Sequence, residues 1–260
     1  MSPEAGRGKV RVDVALVERG LVASRERARA LILAGRVLVS EQKAEKPGLM
    51  VPEGAPIRLL GEDLPYVSRG GLKLAAALEH WKIEVCGRAC LDVGASTGGF
   101  TDCLLQHGAA HVTAVDTGFG QIAMKLRNDS RVRLLERTNA RFLAPGALAE
   151  AGGPALTLLV MDVSFISVTL LLEPVLEAAP GLTEAVILVK PQFEAGRGNV
   201  GKGGIVRDPE VHRQVVEKVA SCMSSLGWQV VETISSPITG AEGNREFLLY
   251  ARRAAAEGAI

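Results

Sequence analysis

Between residues 67 and 252, short apolar runs alternate with segments of helical periodicity, and this alternation most constrains the fold. The predicted parallel strands are ACLDVGA, HVTAVD, VRLLE, ALTLLVMD and AVILVK. Strands joined through helices run parallel, because each crossover returns the chain to the same end of the sheet. The closing strands WQVVETISS and REFLLYARR have no helix between them and predict an antiparallel edge. The fold class is therefore α/β, with a Rossmann-like, mostly parallel sheet.

A smaller unit precedes this sheet. Residues 9–60 predict a small α+β domain of two short helices followed by short strands, and residues 61–66 predict a linker. Residues 1–60 hold 11 Lys or Arg against 7 Asp or Glu, a balance of +4, whereas the remaining residues hold 19 against 22. A basic leading module favours contact with nucleic acid, a randomly basic end being the alternative.

The second predicted helix, which Ser24 is expected to cap, has cations on its outer face. Such a face is either an ordinary solvated one or a phosphate-binding one. A glycine-rich loop, GRGNVGKGGIVRD, offers further cations. This loop begins like a P-loop, but Gly203 stands where Ser or Thr would hold magnesium, so nucleotide hydrolysis is rejected. The residues expected to contact RNA are Arg25, Arg27, Arg29, Arg36, Arg69, Arg197, Lys202 and Arg207.

The strongest local motif is LDVGASTGGFTD at residues 91–102. A strand leads into a glycine turn and then a helix N-terminus, whose backbone N–H groups can face a ligand. The GxGxxG spacing of dinucleotide sites is absent, which favours an adenosyl ligand with an amino-acid tail, S-adenosyl-L-methionine. Asp92 is expected to meet its amino group and Asp116 its ribose; Phe100 is equally well explained as core. The predicted cofactor residues are Asp92, Gly94, Ser96, Thr97, Gly98, Gly99, Phe100, Asp116 and Asn139.

Asp162 and Lys190 each end one of two successive predicted strands, at the carboxyl edge where ligands bind parallel sheets. Each alone is explained by capping or a salt bridge, but beside a methyl donor they are candidate catalytic residues. Lys73 in SRGGLK and Glu246 in REFLLYA complete a possible tetrad. A ribose hydroxyl is a poor nucleophile, so Lys190 would act as its base or stabilise the developing alkoxide. The carboxylates would orient the lysines, and Lys73 would hold the ribose or phosphate.

Other chemistries fit the sequence less well. The interleaved lysines argue against reading the two carboxylates as a metal site, so no metal is expected. Methylation of an exocyclic amino group is typically accompanied by two prolines after a strand-end Asn or Asp, whereas Val163 and Ser164 follow Asp162. Methylation of a cytosine carbon requires a nucleophilic cysteine. Four cysteines are present, none at a strand end near this site, and all are interpreted as structural: Cys86, Cys90, Cys103 and Cys222.

Nine segments together resemble one known family: GGLKL, LDVGASTGGFTD, VDTGFGQI, LRND, ERTNAR, MDVSFIS, LVKPQFE, GKGGIVRDP and GNREFLLYA. Over residues 9–252 the chain is similar to the TlyA family, also called hemolysin A, whose members are rRNA 2′-O-methyltransferases with an FtsJ-like catalytic domain. The resemblance implies a methyltransferase domain at 67–252, with the family's catalytic Lys-Asp-Lys-Glu set falling on Lys73, Asp162, Lys190 and Glu246. It also implies a cytidine acceptor.

Residues 9–60 resemble the RNA-binding module of ribosomal protein S-four. The chain departs from many such modules at Ser40 to Gln42, where they have Asn-Gly. The module is expected to dock the rRNA that the second domain methylates.

The sequence thus predicts ribose 2′-O-methylation with rRNA or ribosomal subunits as partner, no membrane, and no obligate protein partner. One alternative is a non-catalytic ribosome-binding factor that retains an adenosyl pocket. Another is a membrane-active hemolysin, raised by the older family name. Against it, the sequence shows neither a signal peptide nor an apolar span nor an amphipathic cationic helix. The cytoplasm is the expected compartment.

Overall fold

The structure is a computed structural model of the 260-residue chain and describes residues 8–22, 24–60, 64–149, 153–240 and 243–253. Contacts divide the chain into two units, Met1–Leu64 and Pro65–Ile260. Of the predicted linker, residues 61–63 lie outside the described part. Each unit contains a hydrophobic core of its own.

The N-terminal unit combines two helices with short antiparallel strands. Its core is built by buried Leu16, Leu31 and Ile32 of the two helices, with Val37 and Val51 from the strands. Ser24 caps the second helix, as expected, because its Oγ accepts a hydrogen bond from the N–H of Arg27 at 3.2 Å. The elements are β1 (Lys9–Arg11), α1 (Val12–Glu18), α2 (Arg25–Leu33), β2 (Val37–Val39), β3 (Gln42–Lys43), β4 (Met50–Pro52) and β5 (Ile57–Leu59). β1, which pairs with β4, was not expected from the sequence.

The turn between β2 and β3 explains how the chain replaces the Asn-Gly pair. Ser40 and Glu41 both adopt left-handed backbone conformations, with φ of 49° and 64°. A two-residue hairpin of this type requires positive φ at both positions, and asparagine and glycine adopt it most readily. The turn therefore keeps its geometry with residues that favour it less.

The larger unit is a seven-stranded sheet in the order β11–β12–β10–β9–β6–β7–β8. Its strands are β6 (Ala89–Val93), β7 (His111–Val115), β8 (Val132–Leu135), β9 (Leu156–Met161), β10 (Glu184–Val189), β11 (Trp228–Ser235) and β12 (Phe247–Arg253). The pairs that join β10, β9, β6, β7 and β8 are parallel, whereas β12 is antiparallel to both β10 and β11. The predicted α/β fold class, with an antiparallel edge, is confirmed.

Both faces of the sheet are buried. Along β9, Leu158 and Val160 pack into one hydrophobic cluster, whereas Leu159 and Met161 pack into another. Central strands of parallel sheets are apolar on both faces because helices cover each side. The helices of this unit are α3 (Gly70–Trp81), α4 (Gly99–Gln106), α5 (Met124–Arg127), α6 (Thr169–Ala178), α7 (Pro191–Glu194) and α8 (Pro209–Ser225).

Helix boundaries differ from the sequence expectation at several points. The sequence pattern predicts a helix over 121–128 and another from Ile166. The first is the four-residue α5, and the second begins at Thr169, after a loop in which Phe165 has a φ of 66°. The short α7 directly after Lys190 was missed. The expected start of α8 is confirmed, since Asp208 Oδ1 accepts the N–H of Glu210 at 2.8 Å. Among the described helices, none has the length and apolarity needed to cross a bilayer.

Candidate active site

Two adjoining cavities lie where β6, β7, β9 and β10 end. The first has a volume of about 590 Å³ and the second about 550 Å³. Five residues line both cavities and therefore join them: Gly94, Ser96, Asp162, Ser164 and Phe165. The carboxyl edge of the sheet, where ligands of such folds bind, is thus an open groove in this unit.

The four predicted catalytic side chains line the first cavity as two ion pairs. Lys73 Nζ lies 2.5 Å from Glu246 Oε2, and both side chains are buried. Lys190 Nζ lies 2.5 Å from Asp162 Oδ1 and also donates a hydrogen bond to Ser164 Oγ at 2.9 Å. Two cations and two anions therefore balance at one wall of the cavity, and each lysine is oriented by a carboxylate.

Strand register explains this arrangement. Met161 pairs with Ile187, so Asp162, the next residue, follows β9 near the point where Lys190 follows β10. Phe247 at the start of β12 pairs with Val189 in antiparallel fashion, which places Glu246 beside Lys190. Three members of the tetrad thus come from adjacent strand ends, and Lys73 comes from the first turn of α3.

The glycines of residues 94–99 are required by the packing of the protein itself. Gly94 has a φ of 87°, and a Cβ there would lie 2.3 Å from the main-chain oxygen of Asp162. Gly98 has a φ of 95°, and a Cβ there would lie 2.2 Å from a methyl carbon of Leu126. Gly94 and Gly98 were predicted to line the cofactor site. At each position a side chain is also excluded by atoms of the protein itself. Ser96 and Thr97 are the exposed residues of this turn.

Asp116 and Asn139 line the second cavity. Asp116 follows β7 and accepts backbone hydrogen bonds from Ser96 at 2.7 Å and Gly118 at 2.6 Å, so its carboxylate ties the glycine turn to the next loop. The amide oxygen of Asn139 accepts the N–H of Arg141 at 3.0 Å. Both residues are positioned by local backbone contacts at the end of the groove away from the tetrad.

Asp92 does not line either cavity; it lies fully buried beneath the glycine turn. Its Oδ2 accepts the hydroxyl of Thr101 at 2.6 Å, and its Oδ1 is buried without a hydrogen-bond partner among the described residues. The pKa of Asp92 is raised to about 7, chiefly by burial; the nearby negative charges of Asp162 and Asp116 contribute to the rise, and the Thr101 hydrogen bond opposes it.

Two of the predicted RNA-contacting arginines make contacts within the N-terminal unit. Arg25 lies 3.1 Å from buried Asp13, whose pKa is lowered to about 2 by the hydrogen bond from Arg11 together with that from Arg25. Arg36 donates to the backbone oxygen of Leu60 at 2.9 Å. These two side chains therefore also stabilise the fold.

The other predicted RNA-contacting side chains differ in exposure. Arg27 is half-buried, whereas Arg29 is exposed on α2, and Lys202 and Arg207 are exposed in the glycine-rich loop. Arg69 lines the first cavity next to Lys73. The side chain of Arg197 lies outside the described part of the chain.

Sequence reasoning missed two aromatic residues at the mouth of the groove. Phe165 is 92% exposed, and its backbone adopts a positive φ of 66°, which is rare for a bulky side chain. Its ring lies 5.3 Å from that of Phe193, and both residues line the first cavity. The available signal was their position, since each follows the tetrad residue at a strand end by three residues, in MDVSFIS and LVKPQFE.

These features fit an adenosyl cofactor with an amino-acid tail. The exposed turn at Ser96 and Thr97 leads into the N-terminus of α4, which attracts a carboxylate. Asp92, expected to meet the amino group of the tail, lies outside both cavities, whereas Asp116 lines the second cavity, where it could meet ribose hydroxyls. Ser96 and Thr97 line the first cavity together with the four side chains of the tetrad.

Comparison with known proteins shows the family of the chain. The FtsJ-like methyltransferase model matches residues 66–253, and the S4 domain model matches residues 10–57. The chain belongs to the TlyA group of FtsJ-like methyltransferases. S-adenosyl-L-methionine is accordingly the cofactor of this methyltransferase. Among the described residues, no group of three or more His, Cys, Asp or Glu side chains is arranged to hold a metal ion.

Three relatives illustrate the match to this FtsJ-like family. The 16S/23S rRNA (cytidine-2′-O)-methyltransferase TlyA of Mycobacterium tuberculosis is 47% identical over 94% of this chain and 90% of its own length. Hemolysin A of Brachyspira hyodysenteriae is 39% identical over 93% of this chain and 99% of its own length. A solved structure from Streptococcus thermophilus, whose name also refers to hemolysin, is 42% identical with a TM-score of 0.70 and covers 95% of this chain and 90% of that one.

Proposed function

We propose that this protein transfers the methyl group of S-adenosyl-L-methionine to the 2′-hydroxyl of a cytidine in rRNA. The observation that carries the proposal is the pairing of Lys73 with Glu246 and of Lys190 with Asp162 in a cavity that adjoins the cofactor turn. The S4 domain match and the name of the 47% identical relative support an rRNA substrate. An rRNA substrate supports a cytoplasmic location for the enzyme.

When bound, S-adenosyl-L-methionine supplies an electrophilic methyl group. Ser96, Thr97 and the N-terminus of α4 would hold its carboxylate tail, and Asp116 its ribose. Lys190 Nζ, fixed by Asp162 and Ser164, would meet the attacking 2′-oxygen, polarise its O–H bond and stabilise the negative charge that develops there. The methyl group would pass from the sulfonium sulfur to the 2′-oxygen, the sulfur would be left as a neutral thioether, and the hydroxyl proton would pass to water in the open groove.

Lys73 and the aromatic pair would position the nucleotide. The Lys73 ammonium, held by Glu246 and next to Arg69, is placed to contact a ribose or phosphate oxygen. Phe165 and Phe193 present ring surface at the cavity mouth, on which an unstacked base can lie. Alignment of hydroxyl and methyl by such contacts is a large part of the expected rate enhancement.

The test is incubation of the protein with S-adenosyl-L-methionine and unmethylated ribosomal subunits, followed by nuclease digestion and mass spectrometry of the nucleosides. We expect 2′-O-methylcytidine with the wild type, and a loss of at least about a hundredfold in rate for Lys190→Ala with cofactor affinity retained. Lys82→Ala, which truncates an exposed lysine at the end of α3, is the matched control and should retain full activity.

Two results would overturn the proposal. Full activity of Lys190→Ala would remove this residue from the mechanism. A methyl group found on a base, or no methylated nucleoside from either subunit, would reject ribose methylation of rRNA and favour the non-catalytic binding factor.

A further inference from the structure

A basic rim follows the edge strand β8, away from the tetrad. Residues 119–142 contain six Lys or Arg against two Asp or Glu, a balance of +4, in a unit that is slightly acidic as a whole. β8 ends the sheet on this side, so the rim faces outward rather than into a neighbouring strand. The six cations of the rim are Lys125, Arg127, Arg131, Arg133, Arg137 and Arg141.

Two exposed phenylalanines lie among these cations. Phe119 is 62% exposed and carries the Arg137 guanidinium 4.2 Å above its ring centroid. Phe142 is 76% exposed, with the Arg141 guanidinium 5.9 Å from its centroid. Single exposed apolar side chains are common on protein surfaces, but here each ring is combined with a cation.

The first of these pairs is held in place by backbone and side-chain contacts. The N–H of Arg137 donates to the backbone oxygen of Gly118 at 3.0 Å, which joins the loop after β8 to the loop after β7. Glu136 accepts the N–H of Gly120 and the guanidinium of Arg127, each at 2.6 Å. The Phe119 ring is therefore presented by a rigid support, which lowers the entropic cost of binding a flat partner.

We propose that the basic rim binds a single-stranded segment of the RNA substrate, with bases stacking on Phe119 and Phe142 and phosphates meeting Arg137 and Arg141. Exposed aromatic rings beside guanidinium groups are the combination that recognises unpaired RNA, because bases offer flat rings and the backbone offers negative charge. The rim borders the groove, since Thr138 and Asn139 line its second cavity. The inference rests on the proposed function, because it names where the RNA of that reaction docks.

The test measures binding and turnover separately in the full-length protein. Binding of unmethylated ribosomal subunits is measured over a series of salt concentrations, cofactor binding by calorimetry, and kcat and KM by methyl incorporation. The variants are the double substitutions Phe119→Ala with Phe142→Ala, and Arg137→Ala with Arg141→Ala. The matched controls are Val231→Ala, 48% exposed on the opposite edge strand β11, and Arg213→Ala on α8.

We expect both double variants to weaken subunit binding and raise KM about tenfold or more, with kcat within about twofold of the wild type. In the arginine variant, the slope of log K against log salt concentration should also become shallower, by the amount expected for the loss of about two phosphate contacts. In the phenylalanine variant this slope should not change. Cofactor affinity and the two control variants should match the wild type.

Unchanged subunit affinity in both double variants would overturn the inference. Weaker cofactor binding with intact subunit binding would also overturn it, because the rim would then belong to the cofactor site. A wild type that binds subunits without methylating them would reject the proposed function and leave the binding result standing, so the two failures are distinguishable. A wild type that does not bind subunits would reject the rim as an RNA surface.

Discussion

Asp92 is a carboxylic acid that water does not reach, placed one residue before the end of β6. Its pKa of about 7 lies well above the value of about 3.9 expected for an aspartic acid in an unfolded chain. Between these two values the folded protein keeps the proton while the unfolded chain releases it. The free energy of unfolding therefore falls as pH rises from about 4 to about 7, and the loss is complete above the folded-state pKa.

The substitution Asp92→Asn tests this buried acid. Asparagine keeps the shape of the side chain and the hydrogen bond with Thr101 but cannot ionise. The free energy of unfolding of the variant, relative to that of the wild type, should therefore be higher at pH 8 than at pH 5.5. Thermal denaturation at the two pH values measures the difference. The same difference in stability at both pH values would contradict the assignment.

At the scale of elements, the short helix α7 directly follows Lys190 and contacts the loop that follows Asp162. Its last residue, Glu194, is buried and accepts hydrogen bonds from the N–H of Val168 at 2.7 Å and the hydroxyl of Ser167 at 2.5 Å. Glu194 thus connects the segment after β10 to the loop after β9, which contains Ser164 and Phe165. We interpret it as a positioning residue for the catalytic pair.

Glu194→Ala should leave the Val168 N–H and the Ser167 hydroxyl unsatisfied and lower the free energy of unfolding by about 2–4 kcal/mol. It should also reduce kcat about 10- to 100-fold at saturating substrates, because the lysine and its support lose their alignment. Lys218→Ala is the comparison variant, since it removes the half-exposed ammonium 3.2 Å from Glu194 but keeps the buried carboxylate and its hydrogen bonds to Val168 and Ser167. Equal losses of kcat in the two variants, or none, would contradict a positioning role.

Elements with a strong local signal were predictable, and contacts between distant segments were not. The strand ends at Asp162 and Lys190 followed from apolar runs of the right length, because a parallel sheet brings such ends together. The burial of Asp92 and the pairing of Arg25 with Asp13 depend on tertiary packing that no local pattern encodes. The pairing of Lys73 with Glu246 depends on the register of β12.

At the scale of the whole molecule, the two units have separate hydrophobic cores of different size. The N-terminal core contains ten buried residues, whereas the sheet of the larger unit has a cluster on each face. The described cofactor groove is lined by residues of the larger unit. A ligand that binds a folded unit stabilises that unit by mass action.

Calorimetry should therefore resolve two unfolding transitions with different responses to cofactor. S-adenosyl-L-methionine at about 100 times its Kd should stabilise the larger unit by about 2.7 kcal/mol and raise its Tm by about 5–10 °C. The Tm of the N-terminal unit should not change. A single transition, or equal shifts of both, would show that the units unfold together.

The position of β12 also bears on how the enzyme is made. This strand is the last described one in the sequence, yet it inserts between β10 and β11 and brings Glu246 to Lys73, 173 residues earlier in the chain. During synthesis, the glycine turn and both lysines of the tetrad leave the ribosome before Glu246 does. The nascent chain therefore cannot form the ion pair between Lys73 and Glu246 until β12 has emerged and paired with β10.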